Sequence, residues 1–480
     1  MKEKEAQRFF CDLIEKRYQS FFNHGYQHPF FQDLDAVRYK QHQIFFEEQK
    51  EKMKMVPLKK KKKNGTLPHF PPSPPPQFNL LSHDEIENLY HTIDHTIPES
   101  IEELDQLLHP LDQVYLPGTI LPNQWNQFLS KCKQEQREKK CFFVLILGGG
   151  PMGLFTAGYL DYMRRRDYLP PDVNIQILLL DNRTSPVEGY REPFTRNRPF
   201  VFGTEYFSIL LPKLYCNLQK HPKYDRYFRQ MPIKDLENMF YLSCYHSKIP
   251  MFFTKEYESW ESIASLMENI QIDSILDCTG GRFPIPMKSW MKRNEPMWYR
   301  GPMSNPYAEL EWNNETNRYE FYRKILQSTQ LPENTYYLSI DTQEDGHYYR
   351  NETYPIVDRE TLLFFEHSVK VLGYMTIDQL EELIPWIPNL DLQKLLIYEV
   401  SYWKSQSSSR RKKIRISMSP FEMKMYYRPR VSYQISSPYP CIYVGMGDTN
   451  FSSHYILGAG LNRMIPIALY TLHLLPMLMQ

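Results

Sequence analysis

The stretch VLILGGGPMGLFTAGYL, residues 144–160, is the strongest indication of fold class in this chain. Four aliphatic residues lead into the glycine-rich turn GGGPMG at 148–153, and a largely apolar segment follows it. The chain has only 19 glycines among 480 residues, yet five of them lie between 148 and 158. A buried strand, a tight glycine turn and a helix in this order predict the first unit of a parallel α/β sheet.

Further apolar runs predict the neighbouring strands of that sheet. These runs are CFFVLIL (141–147), NIQILLLD (174–181), SILDC (274–278) and CIYVG (441–445). Uninterrupted apolar runs are expected where a strand is buried on both faces of a sheet. Helices are predicted at 154–167, 232–248 and 460–475. The order of strands and helices therefore indicates β-α-β units and an α/β fold.

The glycine turn has the spacing Gly148-x-Gly150-x-x-Gly153. In dinucleotide-binding folds the first glycine permits the tight turn, the second lets a pyrophosphate approach the backbone, and the third permits close helix–strand packing. Asp181 ends the next predicted strand, 28 residues beyond Gly153, and the polar segment RRRDYLPPDV lengthens the interval. A carboxylate at that position accepts hydrogen bonds from an adenosine ribose. The combination predicts dinucleotide binding rather than an ordinary tight turn.

The remaining glycines indicate which dinucleotide is bound. Gly280 and Gly281 follow a predicted strand, and four more glycines lie at 445–460 in a second strand–loop–helix segment. Asp448 is placed to bind ribityl hydroxyls, and the turn at 458–462 offers backbone N–H groups at a second helix N-terminus. A dehydrogenase that uses only NAD does not need this distant element, whereas FAD extends from one helix N-terminus to the other. The pattern therefore predicts FAD.

These motifs resemble those of the class A flavoprotein monooxygenases, which share the p-hydroxybenzoate hydroxylase fold. The resemblance is carried by GGGPMG, by the acid at the end of the second strand, by GD at 447–448 and by GAGLN at 458–462. Within that class, residues 141–475 are most similar to the MICAL-type monooxygenase domain. The matching segments are FTRNRPFVF (194–202), MPIKDLENMFYLSCYHSKIPMFF (231–253) and DSILDCTGGRF (273–283).

The resemblance implies a set of cofactor-binding residues in which Arg196, or else Arg198, contacts the FAD pyrophosphate. The complete predicted set is Gly148, Gly149, Gly150, Pro151, Met152, Gly153, Asp181, Asn182, Arg183, Arg196, Arg198, Thr279, Gly280, Gly447, Asp448, Gly458, Ala459, Gly460, Leu461 and Asn462. The chain departs from the family where DCTGG (277–281) replaces the usual DG motif and where DTNF follows Gly447. No side-chain catalyst and no metal ligand is predicted.

The predicted architecture is a Rossmann-like FAD-binding domain with an inserted, mainly antiparallel β-sheet substrate domain, preceded by a helical N-terminal extension. The predicted boundaries are an N-terminal segment with a lysine-rich and proline-rich linker (1–80), a helical extension (81–140), the first part of the FAD-binding domain (141–283), the inserted domain (284–440), and the second part of the FAD-binding domain with a C-terminal helix (441–480).

The composition limits which binding partners and which cellular location are expected for the protein. The net charge of +1 gives no overall field for nucleic acid, and the seven dispersed cysteines form no CxxC pair or zinc-finger spacing. The run Lys59–Lys63 predicts a solvated linker, with weak nucleic-acid contact or a nuclear import signal as the alternative. No apolar run is long enough for a membrane span, so we expect a cytoplasmic protein, or a nuclear one if the run directs import.

The predicted function is that of a FAD-dependent oxidoreductase. The resemblance implies a monooxygenase that uses NADPH or NADH as a transient reductant and dioxygen as co-substrate, with C4a-hydroperoxide chemistry on the flavin and hydrogen peroxide as a side product. The substrate, a small molecule or a protein, is not specified by the sequence. The alternative is a FAD-binding or degenerate flavoprotein scaffold that acts as an interaction protein through its N-terminal extension.

Overall fold

A six-stranded sheet organises the fold in a computed structural model that describes most of the chain. The described residues are 3–24, 78–96, 101–138, 140–194, 199–200, 211, 231–283, 336–344, 347–353, 356–357, 359–368, 375–422, 426–427, 431–435, 439–452 and 460–479.

The helices alternate with strands through much of the described chain. They are α1 (Glu3–His24), α2 (His83–His95), α3 (Ile101–Leu108), α4 (Trp125–Glu138), α5 (Pro151–Arg165), α6 (Ile233–His246), α7 (Trp260–Asn269), α8 (Arg359–Ser368), α9 (Ile377–Leu383), α10 (Leu390–Ser405), α11 (Ser408–Lys413), α12 (Gly460–Leu474) and α13 (Pro476–Met479). Short 3-10 helices span His109–Gln113, Pro122–Gln124, Ile384–Trp386 and Gly447–Thr449.

The strands form one large sheet and several small ones. They are β1 (Asn79–Leu80), β2 (Val114–Pro117), β3 (Cys141–Leu147), β4 (Asn174–Asp181), β5 (Tyr190–Arg191), β6 (Pro199–Phe200), β7 (Met231–Pro232), β8 (Met251–Phe253), β9 (Ser274–Asp277), β10 (Tyr336–Glu344), β11 (His347–Thr353), β12 (Ile356–Val357), β13 (Ile414–Glu422), β14 (Tyr426–Tyr427), β15 (Ser432–Ile435), β16 (Cys441–Gly445) and β17 (Phe451–Ser452).

The large sheet has the strand order β15-β16-β9-β3-β4-β8. Strands β16, β9, β3, β4 and β8 are parallel to one another, and β15 pairs antiparallel at the edge. Counted along the chain from β3, the parallel strands lie in the order 3-2-1-4-5, as in Rossmann-like folds. The predicted α/β class is therefore confirmed, and the order of the strands reverses between β3 and β9.

The apolar run of β3 is explained by helices on both faces of the sheet. Phe142, Val144 and Ile146 belong to one buried cluster, which includes side chains of α5, α6 and α12. The alternate residues Phe143 and Leu145 belong to a second cluster, together with side chains of α4 and α7. Because successive strand residues point to opposite faces, a strand that is covered twice has no position for a polar side chain.

A second sheet lies within the segment predicted as the inserted domain. Strand β10 pairs antiparallel with β11, β12 and β13. Ile340 of β10 packs with side chains of β13, α8, α9 and α10 in a third buried cluster, in which Trp403 is completely buried. The antiparallel pairing of these strands agrees with the β-branched and aromatic bias of the sequence in this region. Residues 284–335 lie outside the described part of the chain. The domain boundaries stay predictions.

Helix α1 is joined to the edge strand of the large sheet by one carboxylate. Oε1 of Glu15 accepts hydrogen bonds from the backbone N–H groups of Val431 and Ser432, at 2.7 and 2.8 Å, and from the Ser432 hydroxyl at 3.1 Å. Val431 and Ser432 are both fully buried.

Among the described helices, none has the length and hydrophobicity that a transmembrane span requires.

Replacement of Glu15 tests this connection. We expect Glu15→Ala to lower the free energy of unfolding by about 2–3 kcal/mol, because buried donors lose a charged acceptor. Glu15→Gln keeps an acceptor oxygen and is expected to cost about half as much. Urea unfolding of both variants measures the difference; equal stability of the Ala variant and the wild type would contradict the assignment.

Candidate functional site

The turn after β3 requires glycine at its first position. Gly148 has φ +96°, in the left-handed region, and its N–H donates to the Leu180 carbonyl at 2.7 Å. A Cβ added to Gly148 would lie 2.9 Å from the carbonyl oxygen of Cys278. The register of β3 and β9 pairs Leu147 with Asp277, which brings the two strand ends side by side. The chain therefore turns in a space that admits no side chain.

The third glycine of the motif lets α5 sit directly on this turn. A Cβ added to Gly153 would overlap with the carbonyl oxygen of Gly148. Gly150 is different, since an added Cβ would meet only Arg183 Nη2 at 3.6 Å and Glu237 Oε1 at 3.8 Å. Gly150 is the N-cap of α5 and offers no capping side chain. The first-turn N–H groups, which have no partner within a helix, thus lie at the carboxyl ends of β3, β4, β9 and β16, the region called the crevice below, where they favour an anion.

Asp181 lies at the end of β4, as predicted, and it is held by two arginines. Its Oδ2 accepts from Arg183 Nε at 3.1 Å and from Arg191 Nη1 at 3.2 Å. Arg191 Nη1 also donates to the Gly149 carbonyl at 3.0 Å. A Cβ on Gly149 would come within 2.9 Å of the same Oδ2, so the middle glycine of GGG makes room for this ion cluster.

Burial and charge act in opposite directions on this cluster. Burial raises the pKa of Asp181, but the guanidinium groups of Arg183 and Arg191 outweigh it and hold that pKa below its usual value. Burial and the nearby Arg183 lower the pKa of Arg191 to about 10, although Asp181 opposes the shift. Arg191 is only 2% exposed, whereas Arg183 is 31% exposed. Arg191 is therefore the structural partner, and Arg183 is the partner that faces solvent.

A second carboxylate, at the end of β9, orders the DCTGG loop. Oδ1 of the fully buried Asp277 accepts from the N–H and the hydroxyl of Thr279, at 2.8 and 2.7 Å. Oδ2 of Asp277 accepts from the hydroxyl of Tyr443, on β16. The Thr279 hydroxyl in turn accepts from the backbone N–H groups of Arg282 and Phe283. One buried acid therefore fixes the turn that follows its own strand.

Thr449 joins this loop to the GD segment after β16. Its Oγ1 accepts from the N–H of Gly280 at 3.0 Å and from that of Gly281 at 3.1 Å. A Cβ on Gly447 would lie 3.0 Å from Cγ of Met152, in the first turn of α5. The three glycine segments that the sequence singled out therefore meet at the carboxyl edge of the sheet, where the strand order reverses.

The predicted residues divide according to where the structure places them. Those that lie together around the crevice are Gly148, Gly149, Gly150, Pro151, Met152, Gly153, Asp181, Arg183, Thr279, Gly280 and Gly447. Asp448 is exposed beside Gly280, and Asn182 donates to Glu258 at 3.4 Å. Gly460 begins α12, in which the side chains of Leu461 and Asn462 are not described. Arg196, Arg198, Gly458, Ala459 and Lys59–Lys63 lie outside the described residues.

Sequence reasoning missed four residues that organise the site. Arg191, Tyr443 and Thr449 contact the motif residues across the fold, and no local pattern marks them. For Asp277 the sequence does contain a signal, which is an acid at the end of an otherwise apolar strand. Burial of such a carboxylate is costly unless it accepts hydrogen bonds, so partners for it could have been expected.

Comparisons with known proteins find only a remote likeness. No family model and no curated protein sequence matches the chain. Among solved structures, the crystal structure of tetracycline destructase Tet(51) is similar with a TM-score of 0.32 and 9% sequence identity, over 69% of this chain and 81% of that chain. A likeness this remote gives no information about the function of this chain. The function is therefore argued from the geometry of the crevice.

The ion cluster predicts that loss of the buried Asp181 carboxylate costs more stability than loss of its partly exposed partner Arg183. We expect Asp181→Asn to cost about 3–5 kcal/mol in the free energy of unfolding, since it leaves the buried Arg191 without a carboxylate. Arg183→Gln removes a partly exposed partner and should cost at most about 1 kcal/mol. Denaturant unfolding compares the two.

The lowered pKa of Asp181 determines how the stability of the protein changes with pH. Because the pKa of Asp181 is depressed by folding, its stabilising contribution is complete above its unfolded value of about 3.9 and is lost as the pH falls through the folded value. The wild type should therefore lose stability in acid more steeply than Asp181→Asn. Parallel acid profiles would show that the ion cluster is not formed.

Thr449 provides a test of the contact between the two loops. Thr449→Val keeps the shape but removes the acceptor for two backbone donors, and we expect a loss of about 1–3 kcal/mol. Thr449→Ser keeps the hydroxyl and is the matched control, with a smaller loss. Amide hydrogen exchange at Gly280 and Gly281 should accelerate only in the Val variant; unchanged protection in that variant would contradict the assigned hydrogen bonds.

Proposed function

We propose that this chain is a FAD-dependent oxidoreductase, and specifically a monooxygenase of the class A type that takes electrons from NADPH or NADH. The observation that carries the proposal is the meeting of three glycine segments at the carboxyl edge of β3, β9 and β16, with the first turn of α5 packed against them. In open α/β sheets, ligands bind outside the carboxyl ends of the strands where the strand order reverses.

Gly150 supports a ligand at this place more directly than the other glycines do. The protein itself demands glycine at 148 and 153, because an added Cβ would collide with backbone atoms there. At Gly150 the backbone is extended, with φ −78°, and an added Cβ would be in ordinary contact with neighbouring side chains. Protein packing therefore does not explain the missing side chain at 150. The close approach of a pyrophosphate to the backbone explains it.

The charges around Gly150 suit a bound pyrophosphate. Arg183 lies over the N-terminus of α5, where its guanidinium group adds to the positive end of the helix dipole. Asp181 and Glu237 hold the arginine there, at 3.1 and 3.8 Å. We propose that Arg183 turns from Asp181 to the pyrophosphate, which frees a carboxylate oxygen to accept from the adenosine ribose. Arg191, buried and bonded to the Gly149 carbonyl, stays in place.

The second end of the cofactor is proposed to lie along the loops after β9 and β16. Asp448 is exposed beside Gly280, as a residue that binds ribityl hydroxyls has to be, and α12 begins at Gly460. Bound FAD would supply the redox chemistry between the reduced nicotinamide and dioxygen. The chain's part is to bind and orient the cofactor. We propose that the region around the antiparallel sheet binds the substrate.

One observation favours a second candidate, a degenerate flavoprotein scaffold. Asp181 is already paired with two arginines, and the N–H groups of Gly280 and Gly281 are bonded to Thr449. A crevice satisfied by its own side chains needs no cofactor to fold. In this candidate the chain keeps the architecture and acts as an interaction protein through its N-terminal part.

Reconstitution with FAD distinguishes the two candidates. We expect the purified protein to carry, or to take up, one FAD with the visible absorption of oxidised flavin, and anaerobic NADPH or NADH to bleach that absorption. Uptake of FAD without bleaching would support the proposed cofactor site and contradict the proposed monooxygenase activity. Protein that takes up no FAD supports the scaffold.

Gly150→Val separates loss of binding from loss of folding. The added side chain projects into the proposed pyrophosphate position, so we expect FAD affinity to fall at least about 100-fold, equivalent to about 2.7 kcal/mol. Without FAD, it should still fold and unfold only slightly below the wild-type temperature, because no backbone atom opposes the Cβ and the cost is that of replacing a glycine N-cap. Gly150→Ala is the graded control, with a smaller loss. Undiminished FAD binding by the Val variant would place the cofactor elsewhere.

A further inference from the structure

Two helices outside the crevice bring a carboxylate and two histidines together. Glu87 and His91 lie one turn apart on α2, and His246 is the last residue of α6. One potential ligand atom from each of the three residues lies within 4.8 Å of the other two. Side chains at positions i and i+4 project from the same face of a helix, so α2 presents both of its groups to α6.

The structure assigns a divalent metal site, of the zinc type, to Glu87, His91 and His246. Imidazole nitrogen and carboxylate oxygen are both common zinc ligands, and two histidines with one glutamate form a recognised zinc-binding set. Three protein ligands leave a fourth tetrahedral position for water. The site goes beyond the proposed flavin chemistry, because it lies on the helices that cover the sheet and not at its carboxyl edge.

An orphaned carboxylate oxygen points independently to a ligand. Within the described residues, Oε1 of Glu87 is buried and has no hydrogen-bond partner. Its other oxygen, Oε2, lies 2.6 Å from Nδ1 of His246. A buried anionic oxygen without a donor is costly, and a bound cation would satisfy it.

The surroundings fix the orientation of the histidine rings. The His246 ring stacks on Tyr90, with ring centroids 3.9 Å apart and an interplanar angle of 12°. Tyr90 itself is buried in the main core, so it provides a fixed platform. The His91 ring meets that of His246 edge-on at 5.2 Å and is exposed, which leaves a path for an ion from solvent.

Small side-chain movements convert this cluster into a coordination site. With metal–ligand bonds of about 2.0–2.1 Å, tetrahedral ligands lie about 3.3 Å apart. The Glu87–His246 pair, at 2.6 Å, therefore has to open slightly, while all three groups already lie within 4.8 Å of one another. The C-terminal end of α6, where His246 lies, carries a partial negative charge that favours a cation. A bound ion would join α2 to α6, the helix that also carries Glu237 beneath the crevice.

Zinc titration of the full-length protein tests the site. After chelator treatment and dialysis, we expect one Zn²⁺ per chain by calorimetry and elemental analysis, with a rise in the thermal unfolding temperature as zinc is added. Co²⁺ should bind with the visible spectrum of a tetrahedral site. Mg²⁺, which prefers an octahedral shell of oxygen ligands, is the matched control ion and should have no effect.

Variants of the ligands identify the site. Glu87→Gln and His91→Ala should each weaken zinc binding at least about tenfold, because even an outer-shell partner is worth that much. His83→Ala is the matched control, since this histidine lies on the same helix but contacts Tyr245. Failure of the wild type to bind zinc, or equal binding by the His91 and His83 variants, would overturn the proposal. Because His91 is exposed, its variant is expected to fold, and the unfolding curve without metal verifies this.

Discussion

The contact between Gly153 and the Gly148 carbonyl sets the geometry of the whole site. It brings the first turn of α5 so close to the end of β3 that no side chain fits between them. Once the helix is seated there, its N-terminus lies at the carboxyl edge of the sheet. The positive end of the helix and its unpaired N–H groups are then fixed at the place where the strand order reverses.

Two buried carboxylates stabilise the loops around that helix. Asp181 binds Arg191, which in turn holds the Gly149 carbonyl, so the glycine turn and the end of β4 form one unit. Asp277 accepts from Thr279 and Tyr443 and so connects the ends of β9 and β16. In both clusters the cost of burying an acid is offset by charge or by hydrogen bonds, which makes the loop geometry specific.

Much of this fold could be predicted, because its signals are local in the chain. The uninterrupted apolar run of β3 is an example, and that strand occurs in the structure. The strand ends of the crevice were also predicted, since glycines after buried strands mark tight turns. The partners of Asp181 were not. Arg191 follows a loop that the sequence pattern does not orient, and Thr449 comes from a strand end 169 residues beyond Gly280.

The α/β class, the glycine turn and the position of an acid after the second strand could all be predicted, since each depends on residues that are close together in the chain. The groups that those residues contact are known only from the folded structure. It put two arginines on Asp181, Thr449 on the DCTGG loop and His246 beside Glu87. Such contacts depend on how helices and strands pack, and spacing along one segment carries no information about the side chains of another.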